Sequence, residues 1–239
     1  MKADFITEAR DEFAICIFHC ALCILDCLMV GNLIIISSPS GGGKGTLIKE
    51  VLDTVPDLGY SISYTTRAPR FGEEEGRHYH FVSEAEFQDE IEASGFLEYA
   101  EVHGHLYGTS LVQAERIASE GRDIVLEIDV QGAATVLEKV PNAVSIFILP
   151  PSFEVMKARL MARGTEDPAD LELRLKNASH EVMQFEHFKY VIVNDEIFSA
   201  ARKLASVILA ERQRRDRQTD AICDILDSFD MSKHYLPGE

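Results

Sequence analysis

The stretch SSPSGGGKGT, residues 37–46, carries the densest chemistry in the chain. It follows the apolar run NLIII and precedes LIKEVLDTV, which reads as a helix. Three successive glycines, then Lys44 and Gly45, serve no packing purpose, because glycine weakens strands and helices alike. Strand, glycine-rich loop and helix in that order make a cradle for phosphate. The backbone N–H groups of residues 41 to 46 can ring an anion, and the Lys44 ammonium can reach its outer oxygens. The consensus G-x-x-x-x-G-K-[ST] is met at Gly43 and Lys44; Ser38 stands at its first glycine and Gly45 at its hydroxyl position. Thr46 offers a hydroxyl one residue late, so holding Mg²⁺ is expected to fall to water and carboxylates.

The elements around the loop alternate. After NLIIIS come a helix from Lys44 to about Val55, a strand YSISYTT and a polar charged loop, RAPRFGEEEGRHYHFV. A helix follows in SEAEFQDEIEASG, where Ser83 and Glu86 predict a capping box. The aromatic segment FLEYAEVHGHLYGTS predicts short strands with turns. DIVLEID (123–129) and AVSIFILP (143–150) are continuous apolar runs of the kind parallel strands show when buried on both faces, with a crossover helix between them. Beyond Pro151 the pattern is helical, interrupted at RGTEDPAD, then YVIVND (190–195) and a helix from 197 to about 215. This alternation predicts a three-layer α/β domain with a parallel sheet. The stretch from about 60 to 118 breaks the rhythm and reads as an inserted substrate domain.

At 239 residues the chain can bury a sizeable core, and 23 basic against 40 acidic residues give a net charge of −17. That balance excludes a general nucleic-acid surface, which needs a basic face, but not a pocket lined by a few arginines. Residues 32 to 222 contain no cysteine, as expected for the reducing cytoplasm. Residues 13–30, FAICIFHCALCILDCLMV, are long and apolar enough to raise the question of a membrane span. His19 and Asp26 interrupt the run, and the residues ahead of it are net acidic, so no stable membrane association is expected. Cys16, Cys20, Cys23 and Cys27 would share one helical face, as packing or as a metal site. Met29 stands where a compact domain would begin, so residues 1–28 are read as a non-native or upstream-start extension, with the working protein starting at Met29, and 216–239 as a tail.

The loop does not stand alone. SISYTTRAPRFGEEEGRHYHFV, GFLEYAEVHGHLYGTS, LEIDVQGA, ARLMARGTED and YVIVND follow it in one order, and the series resembles guanylate kinase over roughly residues 30–215. The resemblance implies a P-loop kinase core (29–60 and 119–215), an inserted small α+β GMP-binding domain (61–118) and a helical lid at about 153–180. It implies transfer of the γ-phosphate of ATP to GMP or dGMP with Mg²⁺, in purine nucleotide recycling.

Residue by residue, the resemblance places ATP on Ser38, Pro39, Ser40, Gly41, Gly42, Gly43, Lys44, Gly45 and Thr46, with Asn194 near the adenine. It places the GMP phosphate on Arg67, Arg70, Tyr79 and Tyr107, where guanidinium forks and phenols suit a dianion. Ser63, Glu98 and Thr109 fall where the family reads the base; a carboxylate at Glu98 can accept from the guanine N–H groups, which adenine cannot match. Asp129 is read as a GMP or Mg²⁺-water contact or as a helix cap, with Thr46 as a second metal group through water; Glu127 replaces the family's usual aspartate. Arg159, Arg163 and Arg174 match the lid arginines, together with Lys44 the catalytic set. Two rival readings stand beside this one: a kinase-like scaffold that binds peptides instead of nucleotides, and a metal or membrane role led by the N-terminal segment. The oligomeric state is open.

Overall fold

The computed structural model describes residues 31–102, 104–162 and 168–229. The N-terminal extension with its four cysteines, Arg163 and the last ten residues of the tail lie outside them. Strand β1 (Leu33–Ser37) runs through the middle of a five-stranded parallel sheet ordered β2-β7-β1-β8-β9. Its partners are β7 (Asp123–Glu127) and β8 (Val144–Leu149), with β2 (Leu58–Ser61) and β9 (Tyr190–Val193) at the edges. Side chains alternate between two cores. Ile34 and Ile36 pack with α1 (Lys44–Thr54) and α7 (Ile197–Arg212) through Leu47, Val51, Leu204 and Ile208. Leu33 and Ile35 face α3 (Leu111–Ser119) and α4 (Val130–Lys139) through Ala114, Ile117, Ala133 and Val136. Helices cover both faces, which explains the unbroken apolar runs. Because the strands are parallel, Ser37, Glu127 and Ser61 all finish at one edge of the sheet, the edge where such folds place ligands.

A second sheet, ordered β4-β3-β6-β5, stands over that edge. Its hairpin β5 (Phe96–Val102) and β6 (His105–Ser110) is extended on the β6 side by the two-residue strands β3 (Tyr64–Thr65) and then β4 (His80–Phe81). YSISYTT, expected as one strand, is thus divided between two sheets: Ser61 pairs with Leu126, whereas Tyr64 pairs with Gly108. Between them the Ile62 N–H leaves the ladder and donates to the Gln113 side chain at 3.0 Å. The capping box at Ser83 and Glu86 starts α2 (Glu84–Glu92) as its spacing predicts. From α2, the fully buried Phe87 stacks on Phe96 with ring centroids 4.6 Å apart. Downstream, α5 (Phe153–Ala162) and α6 (Pro168–Val182) pack through Met156, Leu160, Leu175 and Ala178. A last helix, α8 (Thr219–Ser228), follows α7. No helix of the described residues is long and apolar enough to cross a membrane.

One polar knot ties the far end of the sheet together. Asp123, at the start of β7, accepts from Asn32 N at 2.7 Å, from Asn32 Nδ2 at 3.1 Å and from Arg212 Nε at 2.7 Å. Arg212 also donates to the Pro56 and Asp57 carbonyls. Removing one member of a buried ion pair strands its partners, at roughly 3 kcal/mol. Asp123→Ala is therefore expected to lower the urea midpoint by that amount of stability, with the slope of the unfolding curve unchanged.

Candidate active site

Six residues join β1 to α1, and their conformation dictates their composition. Gly41 and Gly43 sit at φ 81° and 85°, a left-handed region that side chains disfavour. A Cβ on Gly43 would also fall 2.4 Å from Asn194 Nδ2. No side chain caps the start of α1. Its first N–H groups therefore remain available to an anion. The loop is braced from behind: Asn194 Nδ2 donates to the Gly42 carbonyl at 2.9 Å, and Arg159 donates to the Asn194 carbonyl at 2.9 Å. Lys44 Nζ donates to the Ile128 carbonyl at 3.0 Å and lies 3.9 Å from Glu127 Oε1. The lysine thus bridges the loop and the end of β7.

Across the cleft, the second sheet and its loops present an arginine set among phenols. Arg67 Nε donates to Tyr107 Oη at 3.2 Å, and its guanidinium carbon lies 5.5 Å from the Tyr79 ring centre. Glu73 holds this arginine, accepting from Nη2 at 2.9 and 3.0 Å, and also accepts from Arg70 N at 2.8 Å. Burial alone would raise the Glu73 carboxyl, but the Arg70 N–H and the Arg67 guanidinium outweigh it and hold the group below its ordinary range. Burial, with the Glu127 carboxylate nearby, pushes the Tyr60 and Tyr79 hydroxyls well above the ordinary phenol range. Both therefore stay O–H donors, and Tyr60 donates to Glu127 Oε2 at 3.0 Å.

Glu98 reaches the cleft through an irregularity of the hairpin. The β5–β6 register shifts between Phe96 and Glu98, so that Glu98 faces Thr109 while Leu97 enters the core. Bulges of this kind re-aim side chains beside active sites. Thr109 Oγ1 donates to Glu98 Oε1 at 2.5 Å. Behind it α4 comes so close that a Cβ on Gly132 would lie 2.5 Å from Glu98 Oε2. Burial, helped by the charge of Asp129, pushes the Glu98 carboxyl up to about 7, against the opposing hydrogen bond from Thr109. Asp129 itself caps α4, accepting from Gly132 N at 2.9 Å, and also lines the cleft.

The cleft encloses about 220 Å³ and runs from the phosphate loop to the second sheet. It gathers residues 38 to 45 with Ser63, Arg67, Arg70, Tyr79, Glu98, Tyr107, Asp129 and Arg174. Four expected site residues stand off its wall: Thr46 is exposed, Thr109 lies behind Glu98, and Arg159 and Asn194 brace the loop. Sequence reasoning did not single out Tyr60, Glu73, Ala100, Val102 or Glu181. Glu73 carried a weak signal, as an acid six residues from Arg67 in the same loop, whereas Glu181 meets the phosphate loop across 141 residues.

A phosphate loop at the carboxyl edge of a parallel sheet, facing an arginine–tyrosine anion pocket across one cleft, defines a P-loop nucleoside monophosphate kinase. Residues 30–211 match the family model for guanylate kinase. The chain is 48% identical over 198 residues to the guanylate kinase of Neisseria meningitidis serogroup A, covering 83% of this chain and 97% of that one. It is 46% identical over 187 residues to that of Clostridium perfringens strain 13, covering 78% and 87%. The crystal structure of guanylate kinase from Anaplasma phagocytophilum superposes with a TM-score of 0.67 at 35% identity, covering 78% of this chain and 89% of that one. The chain belongs to the guanylate kinase family.

The raised Glu98 carboxyl has a measurable consequence. In the unfolded chain this group titrates near 4.5, in the fold near 7, so the fold favours its protonated form. Its contribution is fully present below pH 4.5 and is lost as pH rises through 7, a difference on the order of 3 kcal/mol. Thermal denaturation of the ligand-free protein between pH 5 and 8 is expected to show this loss, and Glu98→Gln to flatten it.

Proposed function

We propose that this protein transfers the γ-phosphoryl group of ATP to GMP or dGMP, giving ADP and GDP or dGDP, in the cytoplasm and in the service of purine nucleotide recycling. The observation that carries the reading is the single cleft in which the phosphate loop and the Arg67–Tyr79–Tyr107 pocket face each other with Lys44 between them. ATP phosphates rest on the N–H groups of the loop and on Lys44; the GMP phosphate takes Arg67, Arg70, Tyr79 and Tyr107. Guanine meets Ser63 and Glu98, the latter oriented by Thr109. An ionised Glu98 accepts from the guanine N1–H and exocyclic amine; adenine, without an N–H at that ring position, leaves the buried carboxylate unpaired, which is the stronger form of discrimination.

The GMP phosphate oxygen attacks the γ-phosphorus in line, the bond to the ADP oxygen breaks, and no covalent enzyme intermediate forms. Such transfers depend on positioning and on charge stabilisation of the equatorial oxygens. Arg174, which lines the cleft, supplies that charge, joined by Arg163. Arg159 holds the loop and the Asn194 carbonyl, so its contribution comes through the loop. The described residues contain no cluster of three or more His, Cys, Asp or Glu able to cage a metal. Mg²⁺ bound with nucleotide needs only one or two carboxylates besides phosphate oxygens and water. Glu127 and Asp129, both on the cleft wall, fit that demand and would hold the ion, through water in the case of Asp129. Bound with the nucleotide, the ion would supply positive charge against the phosphate oxygens. Thr46 is not on the cleft wall and is not needed for this role.

The test is ADP release from ATP and Mg²⁺, with GMP, AMP, CMP and UMP offered separately. Release with GMP alone is expected, and Lys44→Ala should lower it about 10²- to 10³-fold without unfolding the protein. A folded protein that releases no ADP with any acceptor would favour a nucleotide-free binding module instead. Glu98→Gln is expected to narrow the ratio of kcat/KM for GMP over AMP by about tenfold or more; an unchanged ratio would remove Glu98 from base reading.

A further inference from the structure

Arg174 and Glu181 are seven residues apart on α6, two helical turns, and both line the cleft. Leu175 and Ala178 of the same helix pack against Met156 and Leu160 of α5. Gly41 of the phosphate loop rests on that patch too: a Cβ there would lie 3.0 Å from Leu160 Cγ and 3.1 Å from the Met156 carbonyl oxygen. Apolar contact of this kind holds α6 down but is not directional, so it leaves rotation and sliding of the helix soft. A directional restraint joins it. Glu181 Oε2 accepts from the backbone N–H of Ser40 at 2.9 Å. A charge-assisted hydrogen bond to main chain is short and geometrically demanding.

We propose that Glu181 is a positioning residue: by gripping the Ser40 N–H it fixes the rotation and reach of α6, and so aims Arg174 at the transferring phosphoryl group. The proposal rests on the reading of Arg174 as the group that supplies charge in the transition state. Ser40 precedes the amides at residues 43 to 46 that the proposed function gives to ATP, and Gly42 N–H donates to the Pro39 carbonyl at 2.9 Å, so carboxylate and nucleotide are assigned different amides of one loop. The loop that holds the donor thereby also sets the helix that serves the transfer.

The experiment compares Glu181→Ala, Glu181→Gln, Arg174→Ala and the Glu181→Ala/Arg174→Ala pair by kcat, by KM for each substrate and by ADP affinity. Misplacing a catalytic group by about 1 Å costs on the order of 10²-fold. Glu181→Ala is therefore expected to lower kcat about 10- to 100-fold with KM for GMP unchanged. Glu181→Gln, whose amide oxygen still accepts, should recover most of the rate, and the double variant should be no slower than Arg174→Ala. Multiplying losses in the double variant would overturn the proposal, as would an unchanged kcat with tighter ADP binding in Glu181→Ala, the mark of a carboxylate that competes with phosphate. A slow Arg174→Ala beside a fully active Glu181→Ala would remove the grip alone. A fully active Arg174→Ala beside a slow Glu181→Ala would instead remove the role of Arg174, and with it the target of the grip.

Discussion

An anion can be held by backbone N–H groups only if those groups are denied partners inside the protein and the backbone is still kept rigid. At the start of α1, where no side chain caps the helix, the phosphate loop meets that condition with support from outside itself. Its conformation requires glycine at 41 and 43, and glycine is the least rigid residue there is. Rigidity therefore comes from neighbours: Asn194 and Arg159 hold the Gly42 carbonyl, Lys44 reaches the end of β7, and Leu160 and Met156 support Gly41. The sheet beneath must be stiff in turn, and β1, buried on both faces between two apolar clusters, provides that. Much of the molecule serves to keep a few amides pointing one way.

The second sheet solves the opposite problem, that of keeping a carboxylate where water is scarce. Glu98 is held by Thr109 and pressed by Gly132, and burial drives its ionisation upward. N–H donors set against a carboxyl poised near neutrality favour its charged form, which is what the proposed reading asks of Glu98.

The loop, the capping box at Ser83 and the apolar runs were legible because each is a local pattern: glycines next to a lysine, a serine three residues before a glutamate, unbroken β-branched and aliphatic stretches. The family series placed the cleft residues through their order along the chain. What stayed illegible depends on distance or on one-residue offsets. No spacing rule shows that Ser61 and Tyr64 belong to different sheets, since alternation records which face a residue takes and not which strand it joins. The bulge that turns Glu98 toward Thr109 is likewise silent in the residue types. Asn194 could be linked to ATP by resemblance, yet its position under Gly42 follows only from the parallel pairing of β8 and β9.

The Arg67–Glu73 pair carries a consequence for a crowded cell. The arginine that is to meet the substrate phosphate already has its charge matched by a carboxylate 2.9 Å away, and that carboxylate also takes the Arg70 N–H. An empty pocket of this kind exerts little long-range pull on small anions, since opposite charges so close together cancel beyond a few ångströms and salt screens the remainder. Inorganic phosphate or sulfate would have to compete with Glu73 for that guanidinium, with Arg70, Tyr79 and Tyr107 as its other partners on the cleft. A nucleotide brings a base and a sugar as well, and those contacts supply what is needed to loosen Glu73 from its partner. In the proposed reading the pair thus weakens the hold on free anions, and a nucleotide's base and sugar contacts offset that cost.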